Sequence, residues 1–128
     1  MKLRTFCVPC FPLVLALGAF ASRPGSLIQQ APTEARALSN PYDGDPGASR
    51  AGARLYAHEC ASCHGLNAGG IGKAPSLIAA DVADSTPGAL FWVLRNGSLN
   101  RGMPSFAHLP EARRWQIISY LRALRVQR

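Results

Sequence analysis

The chain has 128 residues, of which 16% are charged and 48% hydrophobic, and its formal net charge is +7. That length holds one domain of ordinary size with some chain left outside it. The arginines are scattered rather than clustered, which argues against nucleic acid as a partner; the positive excess fits acidic proteins or an anionic membrane surface.

The first element is a hydrophobic stretch. Met1-Lys2-Leu3-Arg4 is basic, Thr5 to Ser22 carries no charge, and Ala19-Phe20-Ala21 has the small-x-small pattern of a signal-peptidase site. Residues 1–21 therefore read as a Sec-type signal peptide cut after Ala21. The competing reading is a retained membrane anchor, since the 18 uncharged residues reach the lower limit for a membrane-spanning helix. Pro9, Pro12 and Gly18 weaken that helix. Cleavage removes Lys2 and Arg4, leaving 12 basic residues against 7 acidic ones, a net of +5.

Residues 22–47 contain Pro24, Gly25, Pro32, Pro41, Gly44, Pro46 and Gly47 without a sustained period, and read as a flexible or extended lead-in. The folded domain is expected over 48–128. Its first helix runs from Ala48 through Leu55 and Tyr56 to Cys60, with Gly52 and Tyr56 on one face, where a glycine admits a closely crossing helix. Glycines and Pro75 make residues 65–76 a loop, followed by a short apolar piece at Leu77-Ile78-Ala79-Ala80. The next helix is signalled by Thr86 as cap, Pro87 at the first position, the stripe Leu90, Phe91, Val93, Leu94, and a stop at Asn96-Gly97. A loop from Ser98 to Leu109 holds Gly102-Met103-Pro104. The last helix opens at Pro110-Glu111 and buries Trp115, Ile118, Leu121 and Leu124 with Ile117 alongside, while Arg113, Arg114, Arg122 and Arg125 read as a solvated face. The pattern predicts an all-α fold of three to four helices with no strand.

Four cysteines form two CxxC pairs, Cys7/Cys10 inside the hydrophobic leader and Cys60/Cys63 at the end of the first domain helix. His64 follows the second pair directly and decides its chemistry. A thioredoxin-like redox pair needs a preceding strand and a βαβ setting, and a zinc site needs a second ligand pair, whereas no cysteine lies downstream. Covalent haem attachment needs only Cys60-Ala61-Ser62-Cys63-His64: the two thiols add to the haem vinyls and the adjacent imidazole reaches the iron. Export supports this reading, because such haem is fitted outside the cytoplasm.

A haem held by His64 leaves one axial position open, for which Met103, His58 and His108 compete. His58 lies on the same short helix as His64 and cannot readily reach the opposite haem face. His108 reads as a solvent-facing loop residue. Met103 is the only methionine outside the leader and sits in a Gly-Met-Pro turn rather than on a helix stripe. Met/His ligation is a recognised way of holding haem in electron-transfer cytochromes.

Gly52 and Tyr56, Cys60 to His64, Pro75-Ser76-Leu77, Gly102-Met103-Pro104 and Tyr120 together resemble a class I c-type cytochrome of the small bacterial monohaem type, over about residues 48–128. The resemblance implies a cytochrome c fold in which first and last helices cross near Gly52 and Tyr120. It also implies one covalent haem c held by Cys60, Cys63, His64 and Met103, with the Pro75 carbonyl bonded to the His64 ring. The run from Leu90 to Gly97, with Gly102 to Phe106, is similar to small cytochromes that accompany periplasmic quinoprotein-like dehydrogenases. The implied role is a periplasmic one-electron carrier, with a dehydrogenase as donor and an oxidase or another cytochrome as acceptor. Its alternatives are a haem subunit fixed to a dehydrogenase, or a five-coordinate haem enzyme or ligand sensor. Membrane association is expected only if the leader stays as an anchor. Lys73, Arg54, Arg95 and Arg101 are the basic residues expected around the haem edge. Ala74 departs from the glycine that many relatives carry before this proline.

Overall fold

The computed structural model describes residues 26–126, so the leader, Cys7, Cys10 and the first residues of the lead-in lie outside the described residues. Six helices follow in order: α1 Thr33–Arg36, α2 Pro46–Glu59, α3 Ala61–His64, α4 Ala80–Ala83, α5 Pro87–Asn96 and α6 Glu111–Val126. Two short 3-10 turns, Leu27–Gln30 and Leu99–Arg101, complete the regular structure. Among the described residues there is no strand; the only ladder-like pairings are isolated bridges at Ile71/Ala74 and Ser98/Met103. The fold is all-α, as the sequence pattern predicts. No helix among the described residues is long and apolar enough to cross a membrane.

The helix α2 begins two residues earlier than its apolar pattern. Asp45 caps it, its carboxylate accepting from the Gly47 and Ala48 amides at 2.7 and 3.2 Å, and Pro46 occupies the first turn where no amide hydrogen is needed. The proline and glycine that read as breakers thus start the helix. α5 follows its sequence signals closely: Thr86 Oγ1 accepts from the Ala89 amide, Pro87 enters the first turn, and Gly97 ends it with φ 63°.

The dominant packing contact is the crossing of α2 over α6. A β-carbon on Gly52 would overlap the Gln116 carbonyl and press on the Tyr120 β-carbon, so the backbones meet at a distance that only glycine permits. Tyr56, one turn on, is 1% exposed and tilts against the Tyr120 ring at 5.3 Å. Ile117 and Ile118 are adjacent yet both fully buried, because α2 covers one side of α6 and α5 another. Phe91 of α5 stacks on Trp115 of α6 with ring centroids 4.1 Å apart. Both Gly52 and Tyr120 therefore stand at the helix crossing expected of them.

Two expectations need correction. The lead-in is not loose along its described part: the segment from Leu27 to Asp45 is folded onto α5 and α6. Buried Asn40 donates to the Trp115 carbonyl and the Ser119 hydroxyl at 3.2 and 2.9 Å, and Ile28 and Tyr42 pack against the core. Gly88 faces the Ala35 and Leu38 carbonyls so closely that a β-carbon would collide with them. Periodicity misses such a segment because it is held by single side chains and backbone carbonyls rather than by a repeating stripe.

The arginines of α6 are not simply a solvated face. Arg122 donates to the Ala83 and Ser85 carbonyls, and Arg125 to the Ala83 carbonyl and the Asp84 carboxylate, both at 2.7 Å. Together they cap the C-terminal end of α4, where unpaired carbonyls accumulate. Arg114 is 5% exposed and stands over the Phe91 ring.

Gly52→Ala is expected to destabilise the folded chain by about 2–3 kcal/mol in urea denaturation, although alanine is the better helix former by about 1 kcal/mol. A gain in stability would mean that the close crossing is not a constraint.

Candidate functional site

The attachment segment is one tight turn. α2 ends at Glu59, Cys60 departs from helical geometry with φ −120° and ψ −32°, and α3 resumes at once. The Cys63 and His64 amides both turn back to the Cys60 carbonyl, at 3.2 and 2.9 Å. This brings the two cysteines into a single turn of chain, Cys60 buried and Cys63 exposed, both as free thiols. Burial pushes the Cys60 thiol up to about 12, with smaller contributions from neighbouring Glu59 and Cys63. At neutral pH it is a thiol rather than the thiolate that disulfide exchange requires.

After His64 the chain folds back on itself. The Tyr56 hydroxyl donates to the Gly65 carbonyl at 2.7 Å, the Gly70 amide to the His64 carbonyl at 2.8 Å, and the Leu77 amide to the Ala68 carbonyl at 2.8 Å. These bonds bring Pro75 beside the imidazole, with His64 Nδ1 2.9 Å from the Pro75 carbonyl oxygen. A carbonyl only accepts, so Nδ1 carries the hydrogen in this contact, and Nε2 is the ring atom that a neutral imidazole would offer to a metal. Ala74 carries no left-handed backbone strain, since Ala68 (φ 59°) is the only non-glycine with positive φ among the described residues.

Met103 lies on the other loop. The Ser98 amide donates to the Met103 carbonyl at 2.7 Å and the Met103 amide to the Ser98 carbonyl at 3.0 Å, closing a small ring of chain. Gly102 turns it with φ 80° in the left-handed region. The next residues are tied to the end of α5, the Phe106 amide to the Leu94 carbonyl at 2.8 Å and Ser105 Oγ to the Arg95 carbonyl at 2.5 Å. Met103 itself is half-buried against the hydrophobic core.

The alternative histidines stand elsewhere. The His58 side chain is exposed and beside Glu59, and His108 is exposed with its ring 6.0 Å from Phe106. Lys73, Arg95 and Arg101 are exposed on or next to the two loops, whereas Arg54 lines a groove between α2 and α6 with His58 and Arg113. Sequence reasoning missed the Tyr56–Gly65 bond and the burial of Arg114. The second had a readable signal, since position 114 lies four and seven residues before Ile118 and Leu121, on the apolar stripe itself.

Among the described residues no three or more His, Cys, Asp and Glu side chains gather to hold a bare metal ion. The candidate donors are instead two thiols and an imidazole within one turn of chain and, on the separate loop at Ser98–Met103, one thioether. Those donor types are the ones haem c would take, its ring bringing its own four nitrogens.

Residues 47–121 match the family model described as Cytochrome C oxidase, cbb3-type, subunit III. The chain belongs to this family of c-type cytochrome domains, and its cytochrome domain implies haem-based electron transfer. No curated protein matches it.

Burial, then the neighbouring Cys60 and Tyr120, raise the Tyr56 hydroxyl to about 12. Between pH 10 and that value the folded chain keeps a proton that an unfolded tyrosine loses, so this contribution to stability is full below pH 10 and is lost as pH rises through the window. Tyr56→Phe is expected to flatten that alkaline limb of the stability profile. At neutral pH it should cost about 1–2 kcal/mol, because the Gly65 carbonyl loses its donor. Denaturant midpoints measured from pH 7 to 12 check both.

Proposed function

We propose that the chain is a periplasmic one-electron carrier with a single haem c, covalently held by Cys60 and Cys63 and axially ligated by His64 and Met103. The observation that carries this reading is the His64–Pro75 hydrogen bond at 2.9 Å, which presents Nε2 as a ligand within one turn of two free thiols. When bound, the haem supplies reversible one-electron iron chemistry. Cys60 and Cys63 would hold it covalently, each thiol adding its sulfur and its hydrogen across one vinyl double bond. The Pro75 carbonyl holds the imidazole orientation and increases its basicity. The Met103 thioether is a soft, neutral donor that favours reduced iron and occupies the position an added ligand would need. The bonded Ser98–Met103 ring holds that donor in place, so little of the chain has to move between oxidation states.

Export by residues 1–21 places the carrier in the periplasm, where haem is attached; retention of the leader would tether it to the membrane facing the same side. A dehydrogenase as donor and an oxidase or second cytochrome as acceptor suit such a protein. Lys73, Arg95 and Arg101 give the loops a cationic border for a brief, salt-sensitive encounter. The description of the matching family favours a second reading, a haem subunit fixed in a cytochrome c oxidase. Co-purification in a constant ratio with a larger complex would establish the second reading; a monomeric haem protein would establish the first.

Protein made with the haem-attachment machinery should show a low-spin reduced spectrum, a mass increase of one haem, and the weak far-red band of a thioether–iron pair. Met103→Ala should abolish that band and admit carbon monoxide, and Cys60→Ala with Cys63→Ala should abolish the covalent mass increase. An intact mass with no haem would overturn the proposal and return the two cysteines to thiol chemistry.

A further inference from the structure

Arg114 is the most buried charged side chain among the described residues, 5% exposed, and its surroundings compensate it poorly. Its ion-pair partner is Glu111 one turn away, at 3.8 Å, and that carboxylate is largely exposed. Nη1 reaches the Phe106 carbonyl at 3.5 Å, the guanidinium carbon lies 4.7 Å above the Phe91 ring, and buried Nε has no hydrogen-bond partner. An apolar residue of similar length would avoid the desolvation cost of such a charge. Its contacts point to what it does in return. Phe106 comes three residues after Met103 and is bonded to the end of α5 through the Leu94 carbonyl. Phe91 belongs to α5 and is stacked on Trp115 of α6. Arg114 thus touches the helix and the loop segment that together hold Met103 in position.

We propose that Arg114 is a positioning residue for the Met103 loop: its cation, seated on Phe91 and directed at the Phe106 carbonyl, fastens the segment following Met103 to α5 and α6. The inference rests on Met103 being an axial ligand. Opening the loop releases the thioether from iron, and Arg114 keeps the open population small. An added ligand such as imidazole binds only the open form, so its apparent affinity for oxidised protein scales with that population.

Arg114→Gln is expected to strengthen imidazole binding about tenfold, equivalent to about 1.4 kcal/mol of loop closure. The far-red thioether band of that variant should persist when imidazole is absent. Arg114→Lys, which keeps the charge without the planar fork, should give a smaller increase, and Phe91→Leu should also strengthen binding by removing the ring beneath the cation. Arg122→Gln, which releases α4 from α6 without touching Phe91 or the Phe106 carbonyl, should lower thermal stability without changing imidazole affinity. Wild-type affinity in Arg114→Gln, with the wild-type thioether band present, would overturn the role of Arg114 and leave Met103 ligation standing. Absence of that band from the wild-type protein would overturn ligation and this inference together. If Arg114→Gln yields no holoprotein, Arg114→Lys and Phe91→Leu decide the matter, and wild-type affinity in both overturns the proposal.

Discussion

The Gln116 carbonyl fills the space that a side chain at position 52 would need, and the rest of the domain is arranged around that contact. Because α2 and α6 meet backbone to backbone, Tyr56 is carried under the first turn of the loop that follows His64, where its hydroxyl bonds to Gly65. Cys60 is one turn beyond Tyr56 and inherits its position from the same crossing. On the other partner, the crossing presents Trp115 and Arg114 to α5. One glycine thus registers both halves of the domain against each other, and the constraint is steric, so it does not depend on pH or salt.

The two loops beside this crossing are built differently. The His64 loop is held largely by backbone bonds within itself, and its key contact, from the imidazole to the Pro75 carbonyl, is local to that loop. The Met103 loop closes a small ring but depends for its placement on α5, through the Leu94 and Arg95 carbonyls. The bonds that hold the Met103 loop therefore end on α5, whereas the His64–Pro75 contact is made within its own loop. This asymmetry accords with the proposed chemistry, in which the imidazole is the stronger anchor and the thioether the more easily displaced donor.

The segment from Leu27 to Asp45 adds a third support, and all of it precedes the family match, which starts at residue 47. It seats the Ala35 and Leu38 carbonyls against Gly88 at the start of α5 and sends Asn40 to α6. Buried polar contacts of this kind specify one arrangement more sharply than apolar packing does, since a shifted segment would leave Asn40 without partners. It is an integral part of the folded domain.

Much of this was legible in the residues alone. Cys60 to His64 define an attachment chemistry because thiol spacing and an adjacent imidazole are properties of a short, contiguous segment. Gly52 with Tyr56, Thr86 with Pro87, and the stripe of α6 expose helices and their contact faces through local period and capping. The folded lead-in, the burial of Arg114, and the capping of α4 by Arg122 and Arg125 were decided only in three dimensions. Each of these joins residues far apart in the chain through a carbonyl, a ring face or a single amide, and such partners leave no periodic trace in sequence. The sequence by itself determined which atoms are candidates to hold haem, because they lie in short contiguous motifs. The tertiary structure decided that the Pro75 carbonyl meets the His64 ring and that Arg114 is buried against Phe91 and the Phe106 carbonyl, because those contacts join distant residues.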